Sequence, residues 1–489
     1  MATRRDQLQS YQFLLQRVIS ALVYRKTDPA QSPFRKAGGA VFAGVMLSIL
    51  ALAATAAIGL FVDSFGASDT WTEGNAIVID EDTGAIYVVY PPKDQVDELG
   101  IPQRLYPVLN YTSAVLLAGG TTSVSVDRAD LTENDVPERG MPIGIPNAPT
   151  SLPESDYLLT GGWSVCSLGK ADAAGKITPI SYAFVGSRPD NGTVLADDET
   201  FIASDEKDNQ YLIWNNHKFA LNGDAARKAF RADGETAVSV DSAYLTAIPN
   251  GQKLKPPRVK GVGEPTPAGA DLVAGTVIQV GEGADASYYV ATSDGAAQIT
   301  HLQALLLLSD QQIKDEAYQG RNPEFVSMTT APTTTANLRP DPNNPQHLPE
   351  SVPGYVDAGA KDTATCALYN RKGDNDGITI GVHIDAIGID TEQVSREGLV
   401  YADKVVVPPG RAALVQSGTP QADGGALLLV TDGGRSFPLE SVDLAGVFGY
   451  PLSKAVHVYS NLVGLIPQGL PDGMALSVTA ARTGLQSDQ

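Results

Sequence analysis

Two cysteines, Cys166 and Cys366, are the only thiols in the chain and stand 200 positions apart. An even count in a region that lies beyond an apolar segment suggests one disulfide, although two separate buried thiols fit the same count. A bond closing so long a loop would stabilise the fold by roughly 5 kcal/mol at most on chain-entropy grounds. Trp163, in GGWSVC, is expected to pack over such a bond, and Trp214, in YLIWNNHKF, to sit in a core.

The other residues able to do chemistry are scattered. The five histidines, His217, His301, His347, His383 and His457, show no H-E-x-x-H spacing, so the paired zinc ligands of a hydrolase are missing. Gly169-Lys170 and Gly175-Lys176 lack the upstream glycine and the following Ser or Thr of a phosphate-cradling loop. No G-x-S-x-G elbow occurs. Asp374-Asn375-Asp376-Gly377 is out of register for a calcium loop and reads as a turn. His383 and Asp385 alternate as on one strand face and read as a structural pair rather than a catalytic one. No catalytic residue, metal ligand or cofactor-binding residue is expected.

The elements that carry these residues begin with charge. The chain has 489 residues and a net charge of −21. Residues 1–36 hold Arg4, Arg5, Arg17, Arg25, Lys26, Arg35 and Lys36 against Asp6 and Asp28, a net +5 that leaves −26 for the remainder. So acidic a body repels phosphate backbones, which excludes nucleic acid as a partner. Ala37–Val62 contains no charge over 26 residues, enough to cross a bilayer as a helix. Arg35 and Lys36 precede it and Asp63 follows, so the N-terminus is expected in the cytoplasm and the acidic bulk outside the inner membrane. A cleaved leader is the rival, with Ala54-Thr55-Ala56 as a cleavage-like site, but the apolar run is long and begins late. Arg4-Arg5 has no apolar core close behind it, which weakens a twin-arginine reading.

Ahead of that span, Leu8, Tyr11, Leu15, Val18 and Leu22 recur at helical spacing, widened by Leu14 and Ile19. Thr3 with Asp6 offers a cap, and Thr27-Asp28-Pro29 a stop. One short amphipathic helix cannot bury its own apolar face. It needs a partner protein or the inner leaflet.

Beyond the span, a loose unit recurs: strand, tight turn, strand, short helix. It is clearest in YYVATSDGAAQITHLQALLLLS (288–309), where Asp294-Gly295 would turn the hairpin and Thr300 with Gln303 would cap the helix. It returns in ALLLVTDGGRSFPLESVDLAGVFGY (426–450), with Asp432-Gly433 as turn, Ser436 as cap and Glu440 in the first helical turn. Weaker copies run from Tyr87 to Ala118 and from Tyr211 to Phe230, and Pro-x-Gly exits follow two copies at Pro249–Gly251 and Pro467–Gly469. Gly377–Ile389 and Val405–Val415 read as strands of a separate sheet, and residues 320–354 as a long loop.

Taken together, RDQLQSYQFLLQRVISALV, SPFRK, YPVLNYTSAVLLAG, RGMPIGIPNAPTSLP, GGWSVC, GLVYADKVVVPPGRAALV and GGALLLVTDGGRSFPLESVDLAGVFGY resemble the EccB family of type VII (ESX) secretion systems. Their order and joint presence carry the likeness, from Arg5 to about Gly469; Leu195–Asn209 and the tail after Gly473 match no family motif. The resemblance implies a membrane-anchored α+β protein with one transmembrane helix and an elongated periplasmic body of about four small αβ repeat domains around a central β-sheet domain. It implies a structural core component that multimerises and works with EccC, EccD and EccE, with Cys166 and Cys366 at the family's disulfide positions. Some members are labelled ATPases, so ATP binding is the alternative, and a peptidoglycan-binding anchor a further one. The expected organisation is a cytoplasmic helix (1–36), the span (37–62), a linker (63–75), repeat one (76–150), a first part of the central domain (151–210), repeats two and three (211–320), the rest of the central domain (321–425), and repeat four with the tail (426–489). The topology has a direct check: alkaline phosphatase fused after Thr70 is active outside the inner membrane, and the same enzyme fused after Tyr24 is not.

Overall fold

The computed structural model describes residues 4–24, 46, 69–132, 136–171, 177–391, 400–418 and 425–483. The expected membrane span, its flanks Arg35 and Lys36, and the cap and stop at Thr3 and Thr27–Pro29 lie outside the described residues, apart from Met46. No helix among the described residues is long and apolar enough to cross a membrane. Arg4–Tyr24 forms α1, a helix of 21 residues.

One four-strand pattern is built four times. In repeat one, β1 (Ile77–Asp80), β2 (Ile86–Tyr90) and β3 (Arg104–Pro107) form an antiparallel meander, α2 (Tyr111–Ala118) crosses it, and β4 (Ser123–Val126) returns parallel to β1, giving the order β3-β2-β1-β4. The chain then enters a larger sheet through β5 (Trp163–Ala171), β6 (Ile177–Phe184) and β7 (Thr193–Val194). Repeat two follows with β8 (Glu199–Ser204), β9 (Gln210–Trp214), β10 (His217–Ala220), α3 (Asp224–Ala229), β11 (Val238–Ser239) and α4 (Ser242–Ala247), in the order β10-β9-β8-β11. Repeat three has β12 (Val277–Val280), β13 (Ser287–Thr292), β14 (Gly295–Ile299), α5 (His301–Leu308), β15 (Val326–Met328) and an outer strand β16 (Thr334–Asn337). After β17 (Gly354–Tyr355), the chain completes the larger sheet with β18 (Ala364–Tyr369), β19 (Asn375–Val382), β20 (Ile389–Asp390) and β21 (Lys404–Val406), in the order β20-β21-β6-β5-β18-β19-β7. Repeat four is β22 (Ala412–Gly418), β23 (Ala426–Thr431), β24 (Ser436–Pro438), α6 (Leu444–Val447), β25 (Val456–Tyr459) and α7 (Ser460–Val463), in the order β24-β23-β22-β25.

Local chemistry explains these elements where the sequence expected them. The Thr300 hydroxyl accepts from Gln303 N (3.2 Å), and Gln303 Oε1 accepts from Thr300 N (2.9 Å), a complete capping box for α5. Asn215 and Asn216, both at positive φ, close the β9–β10 hairpin, as a primed turn requires.

In repeat four Asp432-Gly433 turn the hairpin as expected, with Gly434 N donating to Thr431 O at 3.0 Å and the positive φ on Gly434. Several expectations are corrected. Ser436 is a buried residue of β24 rather than a cap, and the helix starts only at Leu444, after Glu440. Residues 320–354 are not a bare loop, because they supply β15 and β16 to repeat three. β22, expected in the central domain before residue 425, pairs with β23 and β25 in repeat four. β8, inside the unmatched stretch Leu195–Asn209, is a middle strand of repeat two. β15, β16, β22 and β8 each have a parallel partner outside their own hairpin, which no local pattern encodes.

The exits of the repeats share one device. The residue before an aromatic on the third strand donates its N–H to the exit segment and accepts back from a glycine two residues later: Leu105 with Glu138 and Gly140, Lys218 with Pro249 and Gly251, Ser436 with Pro467 and Gly469. The following ring, Tyr106, Phe219 or Phe437, packs against that glycine. A Cβ there would stand 2.1–2.2 Å from a ring carbon. In repeat three Ala296 likewise donates to Thr333, but the ring position is Ala297 and the glycine position Thr335, so the bulk has changed sides. A recurring steric exchange of this kind marks true internal repetition.

The cores are shared. Repeats one and four bury one cluster together, through Tyr90, Tyr106, Leu116, Leu414, Leu429 and Phe437 among others. Repeats two and three bury another, in which Trp214, Phe219 and Phe230 meet Leu302 and Leu306. One face of the central sheet is covered jointly by repeats two and four. Gly251→Ala and Gly469→Ala each force a ring off its rotamer, and differential scanning calorimetry is expected to show a loss of roughly 1–3 kcal/mol.

Candidate functional site

β5 and β18 are adjacent antiparallel strands, and Cys166 lies directly opposite Cys366. The two form a disulfide, with Cα atoms 4.0 Å apart and both residues fully buried. Between them the chain runs out through β6 and β7, builds repeats two and three, and returns. The bond therefore ties the neck of a two-repeat lobe. Around it lie Tyr182 and Phe184, with rings stacked at 6.2 Å, and Val382 and Val406, bordered by half-buried Leu168, Ile180, Leu368 and Ile384.

Trp163 does not pack over the disulfide. It is three residues from Cys166 on one strand, and side chains alternate with period two, so it projects from the other face, where it joins Val165, Ala183 and Tyr369. Trp214 is a core residue as expected: its indole N–H donates to Asp197 O at 2.6 Å and its ring meets His347 edge-on at 5.4 Å.

That second face of the sheet meets α4, and both ends of this short helix are held by other elements. At its start, Asp241 accepts from Ala243 N at 2.7 Å as a side-chain cap, and Asp241 N donates to Ser167 Oγ of β5 at 3.0 Å. At its end, Tyr369 Oη of β18 donates to Ala247 O at 2.6 Å, Asn461 of α7 donates to Thr246 O at 2.9 Å, and Lys218 Nζ of β10 donates to Leu245 O. Burial pushes the Lys218 ammonium down to about 8. Three bodies (repeat two, repeat four and the central sheet) thus satisfy the carbonyls a helix end leaves open.

The structure does not bring the histidines together. His217 and His347 bond local carbonyls at 2.7 Å each, of Asn215 and Asn344. His301 stacks on Tyr288 at 4.7 Å, and His457 is exposed on β25. β19 ends at Val382, so His383 and Asp385 are exposed loop residues and not a strand pair. His383 exchanges backbone hydrogen bonds with the Asn191 side chain instead. Among the described residues, no group of three or more His, Cys, Asp or Glu could hold a metal ion. Gly169-Lys170 lies within β5, paired to Pro179 and Thr178, where backbone amides are engaged in the ladder.

On α1, Leu8, Tyr11, Val18 and Leu22 are exposed, Leu22 at 78%, and Leu15 is just exposed at 39%. Among the described residues the stripe is an exposed apolar face. Sequence reasoning missed Asp241, Ser167, Ser181, Lys218 and Asn461. Only Asp241 left a signal, as an Asp just ahead of the helical SAYLTA.

The family model described as "Type VII secretion system ESX-1, transport TM domain B" matches residues 1–487. The ESX-1 secretion system ATPase EccB1 of Mycolicibacterium smegmatis (strain MKD8) is 25% identical over 496 residues, 98% of this chain and 94% of that protein. A chain in the structure of an intact ESX-5 inner membrane complex (composite C3 model) superposes with a TM-score of 0.60 at 23% identity, over 99% of this chain and 95% of that one. The EccB3 dimer from the ESX-3 core complex gives 0.59 at 18% identity, over 84% of this chain and 100% of that one. These last two likenesses establish the fold. A Cys166→Ser/Cys366→Ser chain frees the lobe neck, and its melting under oxidising conditions is expected to lose about 2–4 kcal/mol relative to the native chain.

Proposed function

The chain belongs to the type VII secretion family described as ESX-1 transport TM domain B, and from that membership we propose that it acts as a structural core subunit of an ESX-type secretion complex in the inner membrane. The match over residues 1–487 is the observation that carries the reading. The expected span at Ala37–Val62 anchors it, with α1 in the cytoplasm and the repeats on the periplasmic side. The exposed stripe Leu8–Tyr11–Leu15–Val18–Leu22 supports docking to another subunit, since burying each such side chain stabilises by about 1.5–3 kcal/mol. By family resemblance the partners are EccC, EccD and EccE, with EccC as the motor. Self-association through the periplasmic body is in keeping with the dimer named for the EccB3 relative.

The name of the EccB1 relative includes ATPase, which keeps ATP hydrolysis as a second reading. A structural role needs neither nucleotide nor metal here, and turnover of ATP by the purified chain that is abolished by one point change would favour the second reading.

Deleting residues 3–24 separates the two parts of the proposal. On native gels of detergent extracts, the full chain is expected in a very large assembly and the deletion variant outside it, with an unchanged melting curve for the remaining domains. A full chain that runs as a lone monomer contradicts the structural role.

A further inference from the structure

The seam between α4 and the central sheet is polar in an otherwise apolar interface. One row carries Thr365 of β18, Ser167 of β5, Ser181 of β6 and Asp403 just ahead of β21, on the face opposite the disulfide row of Cys366, Cys166, Tyr182 and Lys404. Asp403 Oδ2 accepts from Ser181 N at 2.8 Å and from Ser181 Oγ at 2.9 Å. Above this row stands Asp241, bound to Ser167 through its backbone. Glu206, from the β8–β9 hairpin, approaches from the side and accepts from Ser242 Oγ at 2.8 Å.

Three carboxyl groups thus meet at one seam. The charges that act on Asp241 are those of Asp403 and Glu206, and both disfavour its ionisation. Two hydrogen bonds, from Ala243 N–H and from the Ser181 side chain, favour the ionised form and offset these charges only in part. Lys170 of β5 and Tyr182 of β6 alternate onto the disulfide face, Tyr369 of β18 and Lys218 of β10 hold the far end of the helix, and α7 carries no titratable side chain. The seam also has room. A cleft of about 820 Å³ opens beside it, walled by Val238 and Ser239 just ahead of Asp241, by Val356 and Gly359, and by Ser167 and Thr365. Thr365 Oγ1 and Tyr244 Oη are both buried at this seam.

We propose that the docking of α4 on the central sheet is a proton-operated joint: with the Asp241 carboxyl neutral the lobe of repeats two and three is clamped to the sheet, and with it ionised the joint opens toward the cleft. The disulfide keeps the neck tied in both states, so opening is confined to the seam. Burial, with the two neighbouring carboxylates, pushes the Asp241 carboxyl up from 3.8 to about 6. A carboxyl raised in the closed form binds its proton more tightly there than when open. The clamp is therefore complete below the open-state value and weakens as pH rises through about 6.

Hydrogen exchange on the full chain in detergent tests this at pH 5.0 and pH 7.0, after correction for intrinsic rates. Opening of the amides in Ala243–Ala247 and Val356–Gly359 is expected to be about tenfold greater at the higher pH, while repeats one and four stay level. Asp241→Asn keeps a capping oxygen and is expected to flatten the dependence at the protected level. Glu206→Gln removes one like charge, so the dependence persists with its midpoint moved to lower pH. A native chain with no pH dependence in these segments overturns the joint, and so does an Asp241→Asn chain that keeps it. Should Asp241→Asn not accumulate folded, the Glu206→Gln midpoint decides, and an unmoved midpoint rejects the proposal.

Discussion

α4 is six residues long, too short to be stable by itself. It persists because groups from three bodies complete it. Tyr369, Asn461 and Lys218 take its last carbonyls, while Ser167 receives the N–H of its capping residue. A buried carbonyl without a partner costs about 1–3 kcal/mol, so pulling any one body away exposes the helix to that penalty. Ala243, Tyr244, Leu245 and Ala247 of α4 are buried in the cluster that repeats two and four share with the central sheet.

The disulfide acts at another scale. It joins neighbouring strands of a sheet whose two halves are interrupted by two complete repeats. A sheet assembled from segments so distant in sequence is slow to close, and the covalent tie lowers the entropy of the open chain. Repeats one and four, separated by nearly the whole domain, share a core in the same way. The body is thus two paired-repeat units held to one sheet, in keeping with a structural core role in a type VII secretion complex.

Membership of the type VII secretion family fits this division of labour. The exposed stripe of α1 and the repeat-built body are separate parts of the chain. The carboxylate seam adds a place where the body can respond to its surroundings without altering its covalent frame.

Properties that depend on a short stretch of chain were legible without coordinates. The α1 stripe is a matter of spacing, the α5 capping box of two residues three apart, and the lack of a nucleotide or zinc motif of residue order. The paired use of Cys166 and Cys366 followed from their count and from family resemblance. What the sequence could not decide is pairing over distance. The fourth strand of each repeat, β4, β11, β15 or β25, returns parallel to the first and carries no signal of its own. Trp163 and Cys166 fall on opposite faces by strand alternation, yet what each face meets depends on where repeats two and four land. Asp241, Ser181 and Asp403 are unremarkable alone and become a seam only because the sheet sets strands more than 200 residues apart side by side. Local hydrogen bonding and periodicity are written in neighbouring residues, whereas burial and electrostatic neighbours exist only once the chain has closed on itself.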